Sequence, residues 1–321
     1  MPSPRYPSRP PSALWQPDRR DFLKASAASL FGLMAGCSGV SSSAAPRVGL
    51  RFGLLTDFHY ADAPPSGTRY YRESLAKVRE AVTKLRDERV EFLGVLGDLK
   101  DMAPDVNGQR EPDTKTLGYL TAIEAEIRRF GGPTYHVLGN HDMDNLSKAQ
   151  VLAGITNTGI TPNRSFYAFS HGGVRFITLD ACHLEDGRDY DHGNFDYRNT
   201  WVPPVQLVWL RAELATAREP VIVFAHQRLD ATGDPFVKNS AEVRAALEAS
   251  GKVLAAFHGH DHPGAHALVN GIHYYTLKAV VEGSGDANNS YAVAEVHSDL
   301  NITITGYRRA VSMELAAKAT G

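Results

Sequence analysis

Apolar and polar positions along the chain alternate with two different periods. Short runs rich in β-branched residues predict strands, and longer stretches with an apolar residue every three or four positions predict helices. The clearest helical stretch is Thr68–Arg89, where Leu75, Val78 and Val82 fall on one face. The chain is therefore predicted to contain both strands and helices.

Predicted strands and helices succeed one another through most of the chain, which indicates a βαβ arrangement. The strands are Arg51–Thr56, Phe92–Leu96, Thr134–Leu138, Val174–Leu179, Val221–Ala225 and Val253–Phe257. The later helices are Thr114–Phe130, Pro204–Ala217 and Ser240–Ala249. Three further strands are separated only by predicted turns, at Ile272–Leu277, Tyr291–Val296 and Ile302–Tyr307. We expect this last run to be antiparallel and to close a second sheet.

The first 36 residues have the pattern of a targeting segment. A Pro- and Ser-rich stretch leads into Arg19-Arg20-Asp21-Phe22-Leu23-Lys24, which resembles the twin-arginine export signal. The apolar stretch that follows, Ala25–Gly36, has the length of a signal-peptide core and is too short to span a bilayer. We therefore expect export, with the twin-arginine translocon as a partner.

The end of the apolar stretch, Leu33-Met34-Ala35-Gly36-Cys37, resembles a lipobox, in which Cys37 would be lipidated. Cleavage within Ser41–Ala45 and an ordinary disordered tail are the alternatives. The predicted organisation is a signal peptide at 1–36, a linker at 37–47, one domain at 48–310 and a tail at 311–321. The expected location is periplasmic or otherwise extracytoplasmic, with Cys37 as a lipid anchor.

Composition and charge narrow the classes of function. A chain of 321 residues that is 43% apolar and 22% charged is not disordered or fibrous. Its formal charge is −2, and cleavage before Cys37 would make it −5. Such a chain lacks the broad positive field that attracts polynucleotides, so no nucleic-acid partner is expected. Cys37 and Cys182 cannot form a disulfide framework, and Cys182 is expected in the core.

Metal-binding residue types follow five of the predicted strands. In open α/β sheets the functional residues gather beyond the carboxyl ends of strands. The five segments are Asp57-Phe58-His59, Gly97-Asp98-Leu99-Lys100-Asp101, Gly139-Asn140-His141-Asp142, His226, and Gly259-His260-Asp261-His262. A lone Asp or His at a strand end is usually a cap or turn residue, but an ordered series of five indicates a metal site. Carboxylate, imidazole and amide ligands together suit Mn, Fe or Zn.

Two of these segments have metal-binding residues at positions i and i+2. In extended backbone such residues point to the same face. We therefore expect Asp57 and His59 to project together, and His260 and His262 to do the same.

The order of the five segments resembles that of the calcineurin-like metallophosphoesterases. The resemblance implies an α/β fold in which a two-sheet mixed β-sandwich is flanked by helices. By position it assigns Asp57, His59 and His262 to one metal ion. It assigns Asn140, His226 and His260 to a second ion, with Asp98 as the bridge between the two.

The same resemblance assigns roles to two further residues. His141 is the family's histidine beside the leaving group, and Asp101 would orient its imidazole. Purple acid phosphatases of this family have a tyrosine ligand at the position of Asp101, so a purple enzyme is not expected.

The implied activity is hydrolysis of small phosphate esters by in-line attack of a hydroxide that bridges two divalent ions. Phosphodiesters or nucleotide diphosphates are preferred over monoesters. The segment Val174–Leu214 resembles an exported bacterial branch of alkaline phosphatases and, more distantly, the ADP-ribose and CDP-alcohol diphosphatases. The alternatives are a nuclease of the same fold, an inactive metal-bound scaffold, and an exported ligand-binding lipoprotein.

Substrate specificity is expected in the polar, aromatic-rich stretch His183–Trp201, which is a candidate lid. Its aromatic residues, including Tyr190, Phe195 and Tyr197, could stack on a base, and His192 or Asn194 could reach a phosphate oxygen. An ordinary solvated loop is the alternative.

Overall fold

A computed structural model describes residues 47–102 and 112–318. The predicted signal peptide and lipobox, with Arg19, Arg20 and Cys37, lie outside the described residues. Within those two ranges, none of the helices is both long and apolar enough to cross a membrane.

The described residues form two mixed sheets of six strands each. In chain order the strands are β1 (Val48–Leu55), β2 (Phe92–Val95), β3 (Thr134–His136), β4 (Tyr167–His171), β5 (Val174–Thr178), β6 (Val221–Phe224), β7 (Val253–His258), β8 (Ala265–Val269), β9 (Ile272–Thr276), β10 (Ser290–His297), β11 (Ile302–Arg308) and β12 (Met313–Leu315). The first sheet has the order β12-β11-β10-β1-β2-β3, and the second has the order β4-β5-β6-β7-β9-β8. In each sheet the central strands that lead into the candidate motifs are parallel.

Helices cover the outer face of each sheet. They are α1 (Ser74–Asp87), α2 (Asp113–Arg128), α3 (Lys148–Gly154), α4 (Pro204–Thr216) and α5 (Ser240–Ser250). Val82 and Leu85 of α1 share a buried cluster with Leu93 of β2, and α2 and α3 contribute to the same cluster. Leu210 of α4 and Leu247 of α5 belong to a separate cluster on the second sheet. The predicted two-sheet sandwich flanked by helices is confirmed.

Aromatic side chains fill the space between the two sheets. The ring of Phe52 stacks on Phe92 at 5.1 Å between centroids and meets the edges of Phe176 and Phe257 at 5.4 and 5.8 Å. Large rings in edge and offset contact stabilise a core beyond the area that they bury. These contacts fix one sheet against the other, and with it the relative position of the loops that follow their parallel strands.

The structure corrects two predictions of secondary structure. The stretch Thr68–Arg89 is helical only from Ser74, after a short 3-10 turn at Tyr71–Glu73. The last three predicted strands do not form one antiparallel run: β9 lies parallel to β7 in the second sheet, whereas β10 and β11 belong to the first. The segment between β9 and β10 thus crosses between sheets.

The edge strands β4, β8 and β12 were not predicted. β12 pairs with β11, so the first sheet continues into the predicted tail at 311–321. Many residues of these three strands are only partly buried or exposed, so their sequences have a weaker apolar pattern than the central strands.

Candidate metal centre

The loops after β1, β2, β3, β6 and β7 meet at one edge of the sandwich. Backbone hydrogen bonds join them: the N–H of Asp57 donates to the carbonyl of Gly97 at 3.0 Å. The N–H of Gly259 donates to the carbonyl of His226 at 3.1 Å. The structure thus brings the five predicted segments together although they span more than 200 residues of sequence.

Several of the candidate ligands have a left-handed backbone conformation. The φ angles are +54° at Asp57, +46° at His59, +53° at Asp98 and +67° at His260. Such angles are unfavourable for residues other than glycine and are typical of functional sites. Asp57 and His59 converge as expected. The predicted reason is wrong, however, because tight turns and not extended backbone bring them together.

Glycines beside these ligands allow the loops to approach closely. A Cβ at Gly139 would lie 2.1 Å from Oδ1 of Asp98, and one at Gly259 would lie 2.1 Å from Oγ1 of Thr56. Since both distances are far below van der Waals contact, any side chain at either position would displace a neighbouring loop. The glycines of the predicted segments are thus required by the geometry of the site.

The first ligand group contains Asp57, His59 and His262. Their candidate ligand atoms lie within 4.8 Å of one another. Nε2 of His59 is 3.1 Å from Nε2 of His262 and 3.7 Å from Oδ1 of Asp57. Two imidazole nitrogens and a carboxylate oxygen that converge in this way are a typical arrangement for a metal ion.

The second ligand group contains Asp98, His226 and His260, also within 4.8 Å of one another. Asn140 is buried, and its Oδ1 has no hydrogen-bond partner among the described residues. A buried carbonyl oxygen without a partner is unfavourable unless something binds it, and a metal ion would do so. The donor set present in the structure therefore fits the metals that the sequence predicts.

Asp98 contacts both groups. Its Oδ2 lies 3.1 Å from Nε2 of His226 and 3.4 Å from Nε2 of His59. Its Oδ1 accepts a hydrogen bond of 2.8 Å from the backbone N–H of His141. One carboxylate thus lies between the two groups and is held in a fixed orientation, as a bridging ligand requires.

The ring nitrogens that face away from the site have their own partners. Nδ1 of His226 lies 2.6 Å from the carbonyl of Leu96, and Nδ1 of His262 lies 2.6 Å from Oε1 of Glu282. Nδ1 of His59 lies 3.2 Å from Oδ2 of Asp101. Such bonds fix the tautomer and leave Nε2 free to bind a metal.

His141 is oriented mainly by a residue that the sequence analysis missed. Its Nδ1 lies 2.7 Å from Oδ2 of Asp144 and 3.6 Å from Oδ1 of Asp101. Burial lowers the pKa of His141, but the carboxylates of Asp144 and Asp98 outweigh burial and raise the pKa well above its usual value. Asp101 therefore contacts two imidazoles, His59 and His141, and its bond to His59 is the shorter. The spacing of three residues between His141 and Asp144 is the sequence signal that could have identified Asp144. No sequence signal indicated that Glu282 would contact His262.

Ring contacts and an ion pair hold the predicted lid, His183–Trp201, against the rest of the described structure. Tyr190 is fully buried and stacks on Phe195 at 3.9 Å between centroids. His192 contacts Asp113 at 2.9 Å. Tyr190 is therefore not accessible to a substrate, which corrects the expectation for that residue, whereas Phe195 is partly exposed and has one ring face covered by Tyr190. Tyr197 is half exposed, with its ring 6.3 Å from that of His260.

A third group of metal-binding residue types lies under this loop. Asp180, His183 and Asp189 converge there, but Nζ of Lys148 lies 2.7 Å from each of the two carboxylates and 3.3 Å from Nε2 of His183. The lysine ammonium takes the central position of the group. This cluster is therefore an ion-pair network that holds the loop to α3.

Comparison with known proteins agrees with this geometry. The family model described as calcineurin-like phosphoesterase matches residues 50–264. The chain belongs to the calcineurin-like phosphoesterase family. It is therefore a dinuclear hydrolase that acts on phosphoester bonds, as the two ligand groups and the shared Asp98 also indicate.

The curated relatives are similar over most of their length. The manganese-dependent ADP-ribose/CDP-alcohol diphosphatase of Oryza sativa subsp. japonica is 28% identical over 311 residues, which covers 83% of this chain and 94% of that protein. The protein of the same name from Danio rerio is 28% identical over 77% of this chain and 92% of that protein.

Solved structures share the fold. A dimetal phosphatase from Danio rerio superposes with a TM-score of 0.71 at 26% identity and covers 85% of this chain and 100% of that chain. A purple acid phosphatase from yellow lupin superposes with a TM-score of 0.53 at 15% identity, over 82% of this chain and 53% of that chain, and shows the fold alone.

Proposed function

We propose that this protein is a Mn²⁺-dependent diphosphatase that hydrolyses nucleoside diphosphate derivatives of the ADP-ribose and CDP-alcohol type. The observation that carries the proposal is the position of Asp98 between two ligand groups, with His141 beside them. The nearly full-length similarity to two diphosphatases supports this class of substrate.

Seven residues would hold the ions. Asp57, His59 and His262 would bind one, and Asn140, His226 and His260 would bind the other, with Asp98 shared between them. When bound, two such ions polarise the phosphoryl oxygens and supply a nucleophile from water at neutral pH. Asn140 contributes a neutral oxygen, which limits the negative charge that would repel a phosphate.

His141 would serve the leaving group. Because Nδ1 of His141 is engaged by Asp144 at 2.7 Å, Nε2 is the ring atom that can donate a proton. When a diphosphate is cleaved, the departing oxygen of the phosphate monoester gains negative charge, which a hydrogen bond or proton from this atom would stabilise. The carboxylates of Asp144 and Asp98 favour the protonated imidazole that this role requires.

Tyr197 would bind the base of the substrate. Its ring is half exposed and lies 6.3 Å from that of His260, at the flank of the second ligand group. Stacking of a base on an aromatic ring is worth about 1–3 kcal/mol, or roughly 5- to 150-fold in affinity. AMP should therefore inhibit more strongly than ribose 5-phosphate. Tyr197→Ala should remove that difference and Tyr197→Phe should keep it; equal inhibition in the wild type would contradict this role.

A metal and substrate panel tests the function. Protein freed of metal with a chelator should regain activity with Mn²⁺ and should hydrolyse ADP-ribose or a CDP-alcohol with a higher kcat/KM than nitrophenyl phosphate. Hydrolysis of monoesters alone would contradict the diphosphatase proposal. Degradation of single-stranded DNA in preference to the diphosphates would favour the nuclease alternative instead.

We also propose that the protein is exported by the twin-arginine route and anchored by a lipid on Cys37. The support is the sequence Arg19-Arg20-Asp21-Phe22-Leu23-Lys24 and the Leu-Met-Ala-Gly-Cys segment that follows it. Replacing Arg19 and Arg20 with Lys should keep the precursor in the cytoplasm, and normal export of that variant would contradict the route. Cys37→Ala should release the protein from the membrane fraction without blocking export.

A further inference from the structure

Glu282 lies outside all five sequence motifs yet contacts a candidate metal ligand. Its Oε1 is 2.6 Å from Nδ1 of His262, and the exposed fraction of each side chain is only 13%. The Nε2 atom of the same imidazole faces Nε2 of His59 at 3.1 Å. Glu282 thus binds the outer side of the ring whose inner side points into the first ligand group.

A buried lysine fixes the segment that carries Glu282. Lys77 of α1 is 1% exposed, and its Nζ donates hydrogen bonds to the carbonyls of Val280 (2.9 Å), Glu282 (3.2 Å) and Gly283 (2.6 Å). Burial of an ammonium group is costly unless its donors are satisfied. Here all three contacts are to one short segment, so the lysine holds that segment against α1.

The same segment is tied directly to the site. The backbone N–H of Val281 donates to the carbonyl of Asp57 at 3.0 Å, and that of Val280 donates to the carbonyl of Thr56 at 3.2 Å. Arg309 adds a hydrogen bond of 3.1 Å to the carbonyl of Glu282. The position of Glu282 is therefore set relative to Asp57, another member of the first ligand group.

We propose that Glu282 is a positioning residue for His262, and that Lys77 holds Glu282 in place for this role. A carboxylate that accepts the Nδ1 proton fixes the tautomer and ring orientation and makes Nε2 a better ligand. We expect the effect at the first ligand group, because Glu282 contacts His262 of that group, whereas His226 of the second group donates to the carbonyl of Leu96. This inference rests on the proposed dinuclear site.

The test is a metal titration of the full chain by calorimetry, after removal of metal with a chelator. Glu282→Gln should weaken one of the two Mn²⁺ binding events by about 10- to 100-fold and leave the other unchanged. Lys77→Met should weaken the same event, and the double variant should be little weaker than the single ones, because both act through His262. The Tm of each metal-free variant shows whether the fold is retained.

Glu80→Gln is the matched control. Glu80 is also on α1, and among the described residues it accepts hydrogen bonds from Asn289, Tyr291 and Arg308, none of which is a candidate ligand. The Glu80→Gln variant should leave both Mn²⁺ binding events unchanged. Equal weakening of both events in Glu282→Gln, or no weakening of either, would overturn the positioning role. Failure of the wild type to bind two ions would instead overturn the dinuclear proposal, so the two failures are distinguishable.

Discussion

Replacement of Gly139 by alanine tests whether close loop packing builds the metal centre. The added Cβ would lie 2.1 Å from Oδ1 and 2.2 Å from the backbone nitrogen of Asp98. Ordinary contacts begin near 3.4 Å, so the two loops must separate by more than an ångström. Separation also breaks the hydrogen bond of 2.8 Å from the N–H of His141 to Asp98.

Steric overlap and the lost hydrogen bond together set the expected loss of stability. Overpacking a dense interior costs about 1–3 kcal/mol, and an unsatisfied buried hydrogen-bonding group costs about 1–3 kcal/mol more. The free energy of unfolding should fall by their sum, about 2–6 kcal/mol, which lowers Tm by roughly 5–20 °C for a domain of this size. Displacement of the shared carboxylate by an ångström should reduce turnover by about 100-fold.

Thermal unfolding with and without a chelator, metal analysis and phosphodiester hydrolysis measure these effects. Gly118→Ala is the control, because Gly118 is an exposed position in α2 where a Cβ would meet nothing within 4 Å. The control should be neutral or slightly stabilising. If Gly139→Ala kept the wild-type Tm, two metal ions and full activity, the loops would not be packed as described.

Three further predictions concern individual side chains. Asp98→Asn should lower metal affinity by more than the roughly 10- to 100-fold that is lost when a hydrogen-bond partner of a ligand is removed. Two bound ions by metal analysis, together with wild-type turnover, would contradict the bridging role of Asp98. His141→Ala should keep both ions and slow alkyl phosphodiesters by about 10²- to 10⁴-fold, with a smaller loss on nitrophenyl esters; equal losses would argue against proton donation. His136 is buried 3.0 Å from Glu124, and although burial lowers its pKa, that carboxylate raises it above 6.5 overall. The stability that this pair contributes is present at low pH and is lost as pH rises through the folded-state pKa. The destabilisation caused by Glu124→Gln should therefore shrink between pH 6 and 9 in denaturant titrations, and a constant difference would refute the sign.

Local sequence patterns were sufficient to predict the central strands, the chemistry at the strand ends and the covering helices except the short α3. Hydrophobic periodicity is a local property, so β1, β2, β6 and β7 were predictable without knowledge of their neighbours. The residue types of the five segments determined which metals and which reaction the site could serve. Their order along the chain indicated the fold family.

Which side chains support those ligands depends on contacts between distant segments. The bond of Glu282 to His262, and the three carbonyls that bind Lys77, join segments that are distant in sequence. No local pattern encodes such a contact, because it depends on how α1 and the segment after β9 pack against the first sheet. The same reason explains why β9 lies in the second sheet while β10 lies in the first: strand type is set by nearby residues, whereas strand partners are set by the packing of the whole core.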